Sequence, residues 1–233
     1  MWCLVFLPIP SSYYVYQSRH DANRTNKDVE PMNTFDSIVA RRAVKSFDPQ
    51  FVIPEQDEKK LFELVRHAPT SFNIQNWRFV VVKNKSLRSD LRKAAWDQAQ
   101  VTEASLLVIL CADLKAWDKN PERYWDQAPQ HMRDILVPMI KPFYQGREQL
   151  QRDEAMRSVG MAAQTLMLSA KAMDYDSCPM IGFDADAVGS LINLPADHVI
   201  GMIISIGKAT KPAHPKGGFI PQSEVVLTDR FGE

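Results

Sequence analysis

Residues 32–233 read as a compact α/β domain, on three observations. Two short continuous apolar runs, residues 106–111 (LLVILC) and 199–206 (VIGMIISI), have the length and branched content of strands buried on both faces. Segments with apolar residues at helical spacing alternate with them. The composition is that of a globular domain, 45% hydrophobic and 24% charged, and so supports a packed core.

The elements follow in order. Asn33 or Thr34 caps a first helix running to about Arg42, with Phe35, Ile38 and Val39 at helical spacing and Asp36 in the first turn. Pro54 opens a second helix carrying Leu61, Leu64, Val65 and Ala68 on one face, and Pro69 stops it. Residues 77–82 (WRFVVV) read as a strand, residues 86–96 as a helix, and residues 106–111 as a central strand. Residues 121–151 carry Tyr124, Trp125, Pro129, Pro138 and Pro142 without a sustained stripe; a lid or mobile helical insertion over a site and a surface excursion both fit. Residues 153–173 form the longest helix. Its Val159, Gly160, Ala163, Met167 and Ala170 suit either a subunit interface or the central core. A short helix over 184–191, a strand over 199–206, a proline-broken loop and a final strand over 224–227 complete the reading.

Residues 1–31 differ. The apolar start MWCLVFLPIP lacks a basic leader and a small-residue cleavage site, and Pro8 and Pro10 interrupt it. We read them as a poorly ordered extension preceding a single domain over 32–233, with Met32 an alternative start. Asn23 and Asn84 head glycosylation sequons that have no meaning without export. Three cysteines without a CxxC pair suit a reducing compartment, which predicts a cytoplasmic protein.

Twenty-eight basic and twenty-eight acidic residues leave no net charge, which argues against a general binder of nucleic acid or anionic membrane. Neither GxGxxG nor GxxxxGK[ST] occurs, and HExxH and GxSxG are also missing. The five histidines are scattered, so neither a metal site nor a hydrolytic triad is expected.

Four clusters carry positive information. Arg41-Arg42-Ala43-Val44-Lys45 places three cations at a helix end, fitting either a C-terminal cap or a phosphate grip. The segment 68–77 (APTSFNIQNW) sets Ser71, Asn73 and Gln75 before a strand, where amides can pair with a heterocycle or simply shape a turn. Residues 178–184 (CPMIGFD) place Ile181 and Gly182 just ahead of a helix, where free N–H groups can meet a ligand. From Ile200 to Ser223 there are three lysines and no acid, either a solvated loop or a second arm of a phosphate clamp.

These four clusters, in this order and spacing, resemble the nitroreductase family of FMN-dependent oxidoreductases over essentially all of residues 32–233. The resemblance also covers the segment SVGMAAQTLMLSAKAM. It implies an α+β fold, a mainly antiparallel sheet flanked by helices, in an intertwined homodimer with FMN at the interface. The final strand would cross to the partner. Carried over, Arg41 and Lys216 hold the FMN phosphate with Arg42 beside them, and Lys45 lies near N1 and O2 of the ring. Ser71, Asn73 and Gln75 line the ribityl chain and ring edge, Gln100 the pyrimidine end, and the Ile181 and Gly182 N–H groups the N5 edge.

Several positions depart from the family pattern. Ala43 stands where many members have Ser, Ile181 replaces a frequent polar residue, and Phe219 lies near the place of an Arg that follows the clamp lysine. Lys208 or Lys211 is then expected to compensate. Asp174 sits at a helix end where Gly is common, in a left-handed position that Asp tolerates. The implied activity takes hydride from NADH or NADPH and reduces a nitroaromatic, quinone or activated alkene by a ping-pong cycle. The rivals are a flavin carrier or sensor without turnover, and a specialised enzyme for one unsaturated metabolite.

Overall fold

A computed structural model describes residues 32–232 of the chain; the extension expected over 1–31 lies outside the described residues. Eight α-helices and four strands are described: α1 Thr34–Ala40, α2 Glu55–Val65, β1 Trp77–Val81, α3 Lys85–Ala94, α4 Gln100–Glu103, β2 Leu106–Asp113, α5 Gln130–Tyr144, α6 Glu148–Ala172, β3 Asp176–Met180, α7 Ala185–Leu191, β4 His198–Gly207 and α8 Gln222–Val225. The strands form one sheet in the order β1-β2-β4-β3, and every pairing is antiparallel. The architecture is therefore α+β with an antiparallel sheet, as the resemblance implied.

The central position of β2 explains its apolar run. All eight residues are buried, and alternate side chains enter two different cores. Leu106, Val108, Leu110 and Ala112 join Leu61, Val65, Val159, Ala163 and Leu166 from α2 and α6. Leu107, Ile109 and Cys111 join Leu91 of α3 and Val188 of α7 on the opposite face. Helices thus cover both faces, and no residue of β2 is left for water.

The long helix α6 belongs to the core rather than presenting its whole small-residue face outward. Ala155, Val159, Ala162, Ala163, Leu166 and Ala170 are buried against the sheet. Gly201 of β4 makes that approach possible, because a Cβ there would lie 2.4 Å from Val159 Cγ1.

Capping follows the sequence. Asn33 accepts from the Asp36 N–H at 3.0 Å, and Asp184 accepts from the Asp186 and Ala187 N–H groups, both at 3.0 Å. Asn84, the second sequon residue, caps α3 by accepting from Leu87. Asp174 ends α6 with φ +63°, the left-handed position expected of it.

Several expectations are corrected. The α6 helix begins at Glu148, not Asp153, and α1 ends at Ala40, short of Arg42. Residues 176–180 are a strand to which the sequence assigned no element; β3 is an edge strand, so Pro179 loses no ladder bond inward. Residues 130–144 form a 15-residue helix despite Pro138 and Pro142. Both prolines are exposed, so water can solvate the carbonyls they leave unpaired. The segment 224–227, expected to be a strand, instead overlaps one helical turn over Gln222–Val225, with no strand beside it among the described residues.

An ion cluster closes one end of the sheet. Buried Asp113 receives Arg78 at 3.2 Å and Lys119 at 2.9 Å, and Lys119 also reaches Asp197 at 2.7 Å. Asp113, Asp197 and His198 gather closely enough for a metal, but the Lys119 ammonium already joins both carboxylates. Among the described residues, no helix is long and apolar enough to cross a membrane.

Candidate functional site

Three separate segments meet beside β3. The extended chain after α1 runs next to it, with an Ala43–Ser177 bridge and the Val44 N–H donating to the Ser177 carbonyl at 3.0 Å. The chain leaving β4 then runs antiparallel to the same segment. Phe47 bridges Ala209, the Thr210 N–H donates to Ser46 and the Asp48 N–H to Lys208. Arg42 Nη2 donates to the His214 carbonyl, fastening the proline-rich tail to the cationic segment. The two acid-free basic stretches, far apart in sequence, are therefore neighbours.

Within this group Arg41 is half-buried, and its side chain has no hydrogen bond or ion pair among the described residues. Ala43 and Lys45 face outward. The Lys45 ammonium lies beside the Cys178 thiol: burial pushes that thiol up, while Lys45 and Gln100 pull the other way. Lys216 is exposed, and its ammonium stands 5.0 Å over the Phe219 ring. Lys208, expected as a substitute phosphate ligand, is engaged instead. It donates to the Asp174 carbonyl and carboxylate, both at 2.6 Å, and lies 4.9 Å over the Tyr175 ring.

The turn after β3 is open on one side. Phe183 N–H donates to the Ile181 carbonyl at 3.1 Å, a tight turn centred on Gly182. Among the described residues the Gly182 N–H has no acceptor. Gln100 is buried and donates to Met180 Sδ at 3.1 Å and to Gln98 Oε1 at 2.9 Å. Gln98, which the sequence reading passed over, donates to the Gly182 carbonyl at 2.7 Å. Its signal was present as a second amide two residues before Gln100.

The loop with Ser71, Asn73 and Gln75 is placed elsewhere. Phe72, Asn73 and Gln75 take φ values of +51°, +54° and +42°, a sterically costly run for residues with side chains. Tertiary contacts hold it: Trp125 Nε1 donates to the Phe72 carbonyl at 3.0 Å, and Asn73 Nδ2 to Tyr124 at 2.7 Å. The Ser71 hydroxyl lies beside the Tyr144 phenol, which burial raises above its usual range. The aromatic-rich segment before and within α5 thus clamps this loop, and Phe72 packs against Phe143 with centroids 5.3 Å apart and the rings tilted by 56°. No hydrogen bond or bridge among the described residues joins this loop to Arg41–Lys45 or to Gly182. A separate cleft of about 740 Å³, bordered by Phe51, Glu58, Lys83, Arg88 and Glu103, contains none of the expected residues.

The donor set suits a large anionic heterocycle. Unpaired guanidinium and ammonium groups serve a phosphate, a cation beside a buried strand serves developing negative charge, and a free N–H serves a ring nitrogen.

Residues 38–208 match the sequence profile of the nitroreductase family. Protein DrgA of Synechocystis is 54% identical over 185 residues, covering 79% of this chain and 88% of its own. YodC of Bacillus subtilis, which carries an NAD(P)H nitroreductase assignment, is 35% identical over 198 residues, covering 83% and 97%. The crystal structure of an Exiguobacterium sibiricum protein in complex with FMN, assigned as a nitroreductase, superposes with a TM-score of 0.79 at 27% identity. It covers 85% of this chain and 98% of its own. On the matched profile and on identity across most of its length, the chain belongs to the nitroreductase family.

Proposed function

We propose that the protein is an NAD(P)H-dependent FMN oxidoreductase acting on small planar electrophiles. The carrying observation is that Arg41–Lys45 runs beside β3, the strand that leads into the Gly182 turn, and is joined to the basic tail by the Arg42–His214 contact. The FMN complex of the Exiguobacterium relative and the NAD(P)H assignment of YodC support the same cofactor pair. The residues fit the flavin: Arg41, Arg42, Lys45 and Lys216 stand without ion-pair partners among the described residues, and the Gly182 N–H has no acceptor there.

Arg41, Arg42 and Lys216 would hold the phosphate. Lys45 would face the pyrimidine end of the ring, where a fixed cation stabilises negative charge as it develops. The Ile181 and Gly182 N–H groups would orient the N5 edge. Bound FMN would supply the two-electron chemistry, accepting hydride from NADH or NADPH and passing it to a nitroaromatic, quinone or activated alkene. No side chain of the group is required as a general acid or base.

The loop of Ser71, Asn73 and Gln75 enters this scheme through a second subunit. Its separation from the cationic segment within one chain supports a homodimer in which each loop completes the other subunit's site. Exposed Phe35 and Val39 of α1 and exposed Phe219 and Phe231 of the tail supply apolar surface for that contact. Cys111 and Cys178 are buried free thiols, which suits a cytoplasmic setting.

The test is direct. Purified protein should be yellow, elute as a dimer, bleach on anaerobic addition of NADPH and recolour with a quinone. Flavin that stays oxidised would favour a carrier, and failure to take up FMN would refute both readings.

A further inference from the structure

The segment between α3 and α4 is built at steric cost around one glycine. Trp96 and Asp97 take consecutive positive φ values of +54° and +56°. Arg92 holds that conformation: its carbonyl accepts from the Asp97 N–H at 2.9 Å, and its Nε donates to the Asp97 carboxylate at 2.7 Å. Core burial does not explain the arrangement, because Trp96 is 71% exposed. What the conformation achieves is contact with the turn after β3. A Cβ on Gly182 would lie 2.9 Å from Trp96 Cζ3 and 3.3 Å from Cε3, closer than packed carbons tolerate.

The same segment grips the turn at two further points. Gln98 Nε2 donates to the Gly182 carbonyl at 2.7 Å, and Gln100 Nε2 reaches both Gln98 Oε1 and Met180 Sδ. Below the turn, the Asp184 N–H donates to the Ala94 carbonyl at 2.9 Å. An indole face, an amide donor and a relayed second amide therefore fix the Ile181–Phe183 turn from one side. Its opposite side, with the unpartnered Gly182 N–H, remains open.

We propose that Gln98, seated by Gln100, and the ring of Trp96 are positioning residues that hold the Gly182 N–H in its orientation toward the flavin N5 edge. This rests on the FMN reading of the site. A flip of the Ile181–Gly182 peptide would turn the Ile181 carbonyl toward that edge, an acceptor in place of a donor. Gln98 opposes this by fixing the Gly182 carbonyl and with it the Gly182–Phe183 peptide, whose N–H holds the Ile181 carbonyl at 3.1 Å, and Trp96 opposes it by filling the space a rotated turn would need.

The experiment compares wild type with Gln98→Met, Gln98→Glu, Trp96→Ala and Trp96→Phe. In the apoprotein, amide exchange at Phe183 should accelerate about tenfold in Gln98→Met and Trp96→Ala, with melting temperatures close to wild type. In the holoenzyme, the visible flavin band should change shape in both, and kcat should fall about tenfold with KM for NADPH within twofold. Gln98→Glu should behave as Gln98→Met, because a carboxylate cannot donate to the Gly182 carbonyl. Trp96→Phe, which keeps a ring over the glycine, should recover most of the loss. Unchanged exchange at Phe183, or an unchanged band and kcat, overturns the proposal while leaving FMN binding intact. A wild-type protein that takes up no FMN overturns the cofactor reading and this proposal with it, and the titration of wild type alone separates the two failures.

Discussion

Arg41→Ala isolates the phosphate contact more cleanly than any other single change in the cationic segment. The Arg41 backbone N–H closes α1 by donating to the Ser37 carbonyl at 3.0 Å, and alanine preserves that bond. Arg41 is half-buried and its guanidinium has no hydrogen bond or ion pair among the described residues, so its removal breaks neither there. A charge-assisted hydrogen bond contributes roughly 1.5–3 kcal/mol, and about 1.4 kcal/mol corresponds to tenfold in affinity. The expected result is FMN affinity lower by about ten- to a hundredfold, with the apoprotein melting as wild type does. Flavin fluorescence quenching on titration into apoprotein measures the first, and thermal denaturation the second. The deficit should shrink as salt is raised, because screening weakens a partly exposed charge pair in wild type. Arg42→Ala provides the contrast, since it also releases the His214 carbonyl and with it the tail. An Arg41→Ala affinity within twofold of wild type would remove Arg41 from the phosphate site and with it the argument from unpaired cations.

Three further outcomes follow from the packing and titration of the domain. Gly201→Ala should destabilise by about 2 kcal/mol through the 2.4 Å approach to Val159. That lowers the melting temperature by about 4–8 °C for a chain of this size, and adding Val159→Ala should restore part of the loss. Burial pushes the Cys111 thiol up to about 11. The folded state therefore keeps its proton where the unfolded state has lost it, and stability should decline as pH rises from about 9 to 11; Cys111→Ala should flatten that slope in denaturant titrations. Hydrogen bonds from Lys119 and then His198 lower the Asp197 carboxyl to about 2. Its contribution is present above the unfolded value near 4 and is lost as pH falls toward 2, so Asp197→Asn should flatten the acid limb of the same titrations.

Legibility in the sequence followed how local the determining physics was. The strand LLVILC was readable because both its faces enter cores, which leaves an uninterrupted apolar signature. Asn33 and Asp184 were readable as caps because a short acceptor before a helical stripe acts within three residues. The extent of α5 was obscured by Pro138 and Pro142, whose disruption is tolerated only because that face meets solvent, and exposure is a tertiary property. The strand β3 was hidden by Pro179 for the same reason, since only its edge position makes the missing N–H harmless. Among site residues, the two basic stretches could be named from sequence, but their meeting depends on the Phe47–Ala209 pairing. Gln98 escaped notice because its role is to grip a backbone carbonyl contributed from 84 residues away.

The tail and the Asn73 loop expose a different boundary, between what one chain can satisfy and what two can. Residues 224–227 alternate poorly but are rich in β-branched residues, which is why they read as a strand. A strand needs a neighbour to take its N–H and C=O groups, and a short helical turn is what remains when none is within reach. Val225, Val226 and Leu227 are then left exposed, as are Met132, Ile135, Met139 and Phe143 along one stripe of α5. Exposed branched residues in a segment with strand composition are costly unless something covers them. The strained loop at Phe72–Gln75 makes the same demand in polar terms, since its conformation is held firmly yet the Asn73 and Gln75 side-chain amides have no cationic partner among the described residues. One second copy, exchanging tails and loops, answers both demands at once, and that economy is the strongest physical argument for the proposed dimer.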